Sequence, residues 1–396
     1  MRKNFLFTSE SVTDGHPDRL CDSIADAVVD RFLLKDPYAR IITECALSKN
    51  VLFLAARFVS EINIDIPEVA RGVLNRVGYH PDDFDAQNCS VLTSLIRMSS
   101  EHRAIADERE LSDAEIDQVH AHSQATVFGY ACNQTPELMP LPIVLSNRLA
   151  HRLSVARMGK VLSGISPDCT VQVGVRYDNG IPVRIPGITI IAGATSREPM
   201  ESMALRELLI SQVIQPMFEN DTVRVDEETE IFVNPQGAYP KSGPAFHSGM
   251  TGRKTASDTY GAYARHSGSA LSGKDPSRVD RIGAYMARYV AKNVVAAGLA
   301  EECEIQLSFT IGHSGPTSIQ AYTFGTGKID ENVLMQRIES CFDFRIGAII
   351  RDFNLRHLPA KHPDGFYQKL PVEGHFGNRT LPLPWEKTDR AESLMG

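Results

Sequence analysis

The chain has 396 residues, 41 of them basic and 49 acidic, and 42% of it is apolar. That length suits two or three domains of roughly 100–200 residues each, and the composition is globular rather than disordered. A net charge of −8 argues against a general nucleic-acid binder but leaves room for a local anion pocket.

The first twenty residues, MRKNFLFTSESVTDGHPDRL, turn polar at once and do not read as a signal peptide. No apolar run approaches the ~18–20 residues of a membrane span, so a cytoplasmic protein is expected. Residues 17–34 predict a helix, with Pro17 in its first turn and Leu20, Ile24, Ala27 and Val28 on one face. Residues 40–47 and 51–59 predict a strand hairpin. A helix is expected over 66–77. The polar stretch 99–122 suits either a solvated helix or a mobile lid. Asn179–Gly180 inside 171–185 is a strong hairpin signal. A helix over 200–217 and a strand over 229–234 follow. Residues 235–275 form a long Gly/Ser/Lys/Arg loop, a feature more often functional than idle. Residues 275–298 predict a helix with Pro276 in its first turn. Its core stripe is Val279, Ile282, Met286, Tyr289 and Val290, and Gly298 ends it. Residues 303–312 and 317–324 predict a last strand pair. This alternation predicts an α/β (α+β) fold, with mixed layers of helix on sheet.

Seven scattered cysteines without a CxxC pair suit buried thiols in a reducing compartment, and a structural zinc site is not expected. Three constellations carry chemistry. Asp14-Gly15-His16-Pro17-Asp18 opens a helix, where backbone N–H groups attract anions; His16 suits a donor to an oxygen and Asp18 a Mg2+ ligand. By itself this pentapeptide reads better as a turn and helix cap with surface charges. Thr251-Gly252-Arg253-Lys254 and Ser272-Gly273-Lys274-Asp275 converge glycines and cations, which suits a polyphosphate, although the Walker spacing is absent. Lys274, Arg278 and Arg281 recur at helical spacing, and Asp280 among them reads as a metal ligand or an ion-pair partner.

Together these segments resemble the methionine adenosyltransferase (S-adenosylmethionine synthetase) family. The blocks that carry the resemblance are residues 7–30, 128–140, 251–281, 289–306 and 374–389, in family order and over essentially the whole chain. The resemblance implies three intertwined domains with approximate threefold internal symmetry, here apportioned as 1–125, 126–240 and 241–396. It implies a homodimer, or a tetramer, with active sites shared between subunits. The partners it implies are ATP and a small sulfur acceptor, and neither nucleic acid nor membrane. It implies that a thioether sulfur attacks C5′ of ATP and that the released tripolyphosphate is cleaved to pyrophosphate and phosphate. Carried over by residue, His16 matches the histidine near the leaving oxygen, while Asp18 and Asp280 match the ligands of two Mg2+ ions. Glu44 matches a K+ ligand. Glu10 and Asp168 match the nucleotide site, and Arg253, Lys254 and Lys274 match polyphosphate cations. Arg278 stands where lysine is usual, and Tyr239 where an aromatic stacks on adenine.

The departures from the family pattern cluster on the acceptor side. Arg57 replaces a glutamate that meets the methionine ammonium, and Met98 replaces a glutamine on its carboxylate. His247 replaces a second ammonium-binding carboxylate. Ser123 replaces an aspartate, and Thr170 a lysine near the α-phosphate. An ammonium there would face Arg57 unpaired, at a cost of about 2–5 kcal/mol. Three readings stay open at this stage. One is adenosyl transfer to methionine or another acceptor. The others are an ATP/tripolyphosphate hydrolase and a silent regulatory paralogue of an active synthetase. Within the acidic chain, residues 251–292 hold eight Lys/Arg against three Asp, a basic segment suited to a triphosphate.

Overall fold

The computed structural model describes residues 4–99, 106–195, 201–219, 221, 223–239 and 241–396. The strands are β1 (Phe5–Val12), β2 (Arg40–Ser48), β3 (Val51–Val59), β4 (Ser90–Arg97), β5 (Ala125–Cys132), β6 (Ile165–Asp178), β7 (Ile181–Ala194), β8 (Glu230–Val233), β9 (Gly249–Met250), β10 (Glu302–Phe309) and β11 (Pro316–Tyr322). The long helices are α1 (Pro17–Lys35), α2 (Ile66–Val77), α3 (Leu141–Met158) and α4 (Val279–Ala296).

The strands form three sheets. The N-terminal sheet has the order β4-β3-β2-β9, the central sheet β1-β6-β7-β8, and the C-terminal sheet β11-β10-β5. Each carries one long helix: α1 lies on β2, α3 on β1 and β6, and α4 on β5 and β10. This gives the expected threefold repeat. Each sheet also borrows a strand from another third of the chain. β9 closes the N-terminal sheet, β1 joins the central sheet, and β5 joins the C-terminal one. The thirds are therefore intertwined: the N- and C-terminal sheets share one hydrophobic core, and the central sheet has a second. Among the described residues, no helix is long and apolar enough to cross a membrane.

Local chemistry explains most boundaries. Asn179 and Gly180 both have positive φ (50° and 82°), the signature of the tight turn that joins β6 to β7. Gly129 on β5 is required by packing, because a Cβ there would lie 2.0 Å from the Ala287 carbonyl carbon of α4. The predicted helix over 200–217 is interrupted. It runs Ser202–Leu209, widens to a π turn over Ile210–Ile214 and resumes at Gln215–Phe218. Pro216 has no N–H with which to continue the ladder, and the widened turn absorbs the break. The helix expected from 275 starts at Val279 instead. Pro276 lies in the turn before it, where the Asp275 carboxylate accepts from the N–H groups of Ile41 and Ser277. In the 99–122 stretch, residues 100–105 lie outside the described residues. The rest is turns around one short helix, Asp113–Ile116.

α1 also carries a pattern its apolar stripe does not announce. Asp18, Asp22, Asp26 and Asp30 recur every fourth residue, and all four are buried. Each accepts from backbone N–H groups of a distant segment of the chain. The donors are Met250 to Asp18 (3.0 Å), Gly252 to Asp22 (2.8 Å), Gly273 to Asp26 (2.8 Å), and Phe366, Tyr367 and Gln368 to Asp30 (2.9–3.0 Å). Burial pushes the Asp30 carboxyl up to about 7 despite its three donors.

Candidate active site

The site is assembled at the N-terminus of α1. Thr13 locks this end to β6, its hydroxyl donating to the Pro167 carbonyl (2.6 Å) and accepting from Cys169 N–H (2.7 Å). Gly15 lies so close that a Cβ would fall 2.3 Å from Pro167 Cβ. His16 caps the helix, its Nδ1 accepting from Asp18 N–H at 3.2 Å. That acceptor role assigns the proton of the neutral ring to Nε2. Burial pushes the His16 pKa down to about 4 against the pull of the Asp168 carboxylate, with Lys254 adding to the lowering. The ring is therefore a neutral Nε2–H donor at neutral pH. Its NMR resonances should titrate near pH 4; titration near the 6.5 of an unperturbed histidine would show that the ring is solvated.

Asp18 is held by Met250 N–H and approached by Lys254 Nζ (3.4 Å) and Arg253 Nη1 (3.7 Å). β9 can bring these cations in only because residue 249 is glycine. A Cβ there would lie 2.1 Å from the Pro17 carbonyl carbon. Asp168, from β6, accepts from Gly243 N–H and from His247 Nε2, both at 2.7 Å. The rings of His16 and His247 meet edge to face with centroids 5.1 Å apart. The structure thus brings six of the sequence candidates, His16, Asp18, Asp168, His247, Arg253 and Lys254, into one group.

A second group lies along β2 beyond its pairing with β9, where Lys274 forms a bridge with Ile42. Its Nζ meets Asp280 at 3.3 Å, and burial lowers its pKa. Arg278 caps α4, and its Nε is buried with no hydrogen-bond acceptor among the described residues. Arg281 does not share this edge with Lys274 and Arg278. It is fully buried, pairs with Asp26 at 2.6 Å and donates to the Lys274 carbonyl at 2.6 Å. The basic segment 251–292 is likewise less free than its charge suggests. Arg265 pairs with Glu304, and Arg288 and Lys292 both pair with Glu386 of the C-terminal tail.

The remaining candidates stand apart, and among the described residues no hydrogen bond or ion pair joins them to His16. Glu44 and Arg57 are exposed on the outward face of the N-terminal sheet, with Arg57 opposite Ile42. Met98 follows β4 and is half-buried, its N–H bonded to the Phe58 carbonyl. Ser123 precedes β5, and its buried hydroxyl has no hydrogen-bond partner among the described residues. Glu10 lies exposed on β1 opposite Gln172, and Thr170 lies on β6 opposite Val12. Tyr239 is half-buried and its carbonyl accepts from Ala194 N–H. A groove of about 830 Å3 between α1, α2 and the 359–369 segment contains none of these candidates.

Sequence reasoning missed Asp22 and Asp26, which hold the loop carrying the cations. The four-residue recurrence of aspartate was the available signal.

Three family models match the chain in order. They are described as S-adenosylmethionine synthetase, N-terminal domain (residues 4–100), central domain (118–239) and C-terminal domain (242–387). Similar curated proteins include the S-adenosylmethionine synthase of Crocosphaera subtropica, 43% identical over 100% of this chain and 98% of its own. That of Nostoc punctiforme is 44% identical over 100% and 96%, and that of Thermosynechococcus vestitus 43% over 98% and 97%. By these matches along its whole length, the chain belongs to the S-adenosylmethionine synthetase family.

Proposed function

We propose that this chain transfers the adenosyl group of ATP to the sulfur of methionine, giving S-adenosylmethionine, and then cleaves the tripolyphosphate to pyrophosphate and phosphate. The observation that carries this is a neutral, buried imidazole with its Nε2–H free, beside a carboxylate flanked by Arg253 and Lys254. The S–C5′ bond forms as the C5′–O bond breaks, and the electron pair leaves on the triphosphate oxygen. His16 Nε2–H donates to that oxygen. Arg253, Lys254, Lys274 and Arg278 hold the phosphates, and the unpaired Nε of Arg278 is ready for an acceptor. Relatives named as synthases over the full length favour synthesis over a hydrolase-only enzyme or a silent regulatory paralogue.

Asp18 and Asp280 are hard-oxygen donors set among polyphosphate cations, a donor set that fits Mg2+. Bound Mg2+ would neutralise charge developing on the triphosphate. Glu44 is assigned to K+, and Glu10, Asp168 and Tyr239 to the nucleotide. Arg57, Met98, Ser123, Thr170 and His247 are assigned to the acceptor side.

Glu44 and Arg57 face away from α1, on a sheet surface that also exposes Val51, Phe53, Leu92 and Ile96. Such a surface suits burial against a second copy. We therefore assign a cytoplasmic homodimer in which one subunit presents Arg57 to the His16 group of the other.

The deciding experiment incubates the protein with ATP, Mg2+ and K+, with and without methionine, and identifies products by mass spectrometry. S-adenosylmethionine formed only with methionine is expected; phosphate release without any adenosylated product would overturn the assignment. Arg57→Glu combined with His247→Asp should lower the KM for methionine about tenfold or more, by restoring negative charge around the ammonium. An unchanged KM would remove both residues from the acceptor site.

A further inference from the structure

The geometry points to a transition-metal site formed by His16, Asp168 and His247, distinct from the Mg2+ carboxylates. One ligand atom from each of the three lies within 4.8 Å of the other two. They come from three separate elements, namely the start of α1, strand β6 and the loop before β9. Gly15 packs tightly against Pro167 of β6, and Gly249 against Pro17 at the start of α1, so these contacts tie both other elements to the α1 start. His16 and Asp168 are buried, whereas the His247 side chain is 38% exposed, which leaves a solvent-facing side for a water ligand.

The donor set argues for the class of ion. Two imidazoles and one carboxylate suit Zn2+ or Co2+, whereas Mg2+ prefers an all-oxygen shell. The Gly243 N–H bond to Asp168 is the outer support such ligands usually have. His247 Nε2 already meets Asp168 at 2.7 Å through one proton, and a divalent ion would take the place of that proton.

Occupancy has a structural cost. Whichever nitrogen of His16 takes the ion, Nδ1 ceases to accept from Asp18 N–H. In one case Nδ1 is itself the ligand, and in the other it must carry the ring proton. The α1 cap is therefore surrendered. Arg253 and Lys254 beside Asp18 also repel a cation, so the site suits an exchangeable ion rather than a permanent structural one. Where Nε2 is the ligand, the ion also removes the Nε2–H donor of His16 and so blocks adenosyl transfer. That consequence rests on the proposed function; the site itself does not.

The test uses Co2+ as a spectroscopic probe of the full-length protein in excess Mg2+. One equivalent of Co2+ per chain should give visible d–d bands of four- or five-coordinate intensity, and Zn2+ should bleach them. His247→Asn, at a partly exposed position, should weaken Co2+ binding at least about tenfold, with the fold checked by circular dichroism. Asp18→Asn should keep the bands. Stoichiometric bands that survive His247→Asn but vanish in Asp18→Asn would overturn the proposal, as would the absence of stoichiometric binding. Because the bands are read without turnover, an inactive protein with the site would still be recognised.

Discussion

His16→Ala is expected to lower kcat by about 10²–10³-fold while leaving the KM for ATP nearly unchanged. The imidazole is preorganised before substrate arrives, since the α1 cap sets its tautomer and burial keeps it neutral. Its donor therefore needs no reorganisation as charge builds on the leaving oxygen. The interaction strengthens only as the C5′–O bond breaks, so its loss should fall on kcat. Steady-state kinetics on a variant with wild-type melting behaviour would check this. A loss under about tenfold would take His16 out of the chemical step.

The largest stability effect is expected from Asp26→Ala, at about 3–5 kcal/mol, because it strands the fully buried Arg281 without its partner. Burial alone raises the Asp26 pKa, and the Arg281 guanidinium opposes that rise. The same substitution should also reduce turnover. Arg281 donates to the Lys274 carbonyl, and Asp26 accepts from Gly273 N–H, so the pair positions the phosphate-facing lysine. Denaturant titration separates the two effects. Replacing both partners by apolar residues, Asp26→Leu with Arg281→Met, should recover most of the stability but not the turnover. Recovery of both would mean that the pair does nothing for Lys274.

Much of this architecture was legible before any coordinates. The β2–β3 hairpin, α2 and the Asn179–Gly180 turn follow from local pattern and turn chemistry, which need no tertiary information. The strand swaps do not, because β9 is two residues long and carries no periodicity of its own. The site was half legible. His16 and Asp18 sit in a recognisable block, and the structure puts both at the helix start beside Arg253 and Lys254. Arg281 shows the limit. Spacing alone aligned it with Lys274 and Arg278, yet Lys274 precedes the helix and Arg281 points inward to Asp26. Charge alone cannot say which cations face solvent and which neutralise a buried acid.

The aspartate column of α1 has a consequence for synthesis. Like charges every fourth residue oppose an isolated helix, and the donors that satisfy these carboxylates come from residues 250–252, 273 and 366–368. A nascent chain must therefore hold its first helix unfinished until nearly all of the protein has left the ribosome. At about 5–20 residues per second that wait is on the order of tens of seconds. A message truncated before codon 366 would yield a product whose opening helix lacks the donors for its last carboxylate.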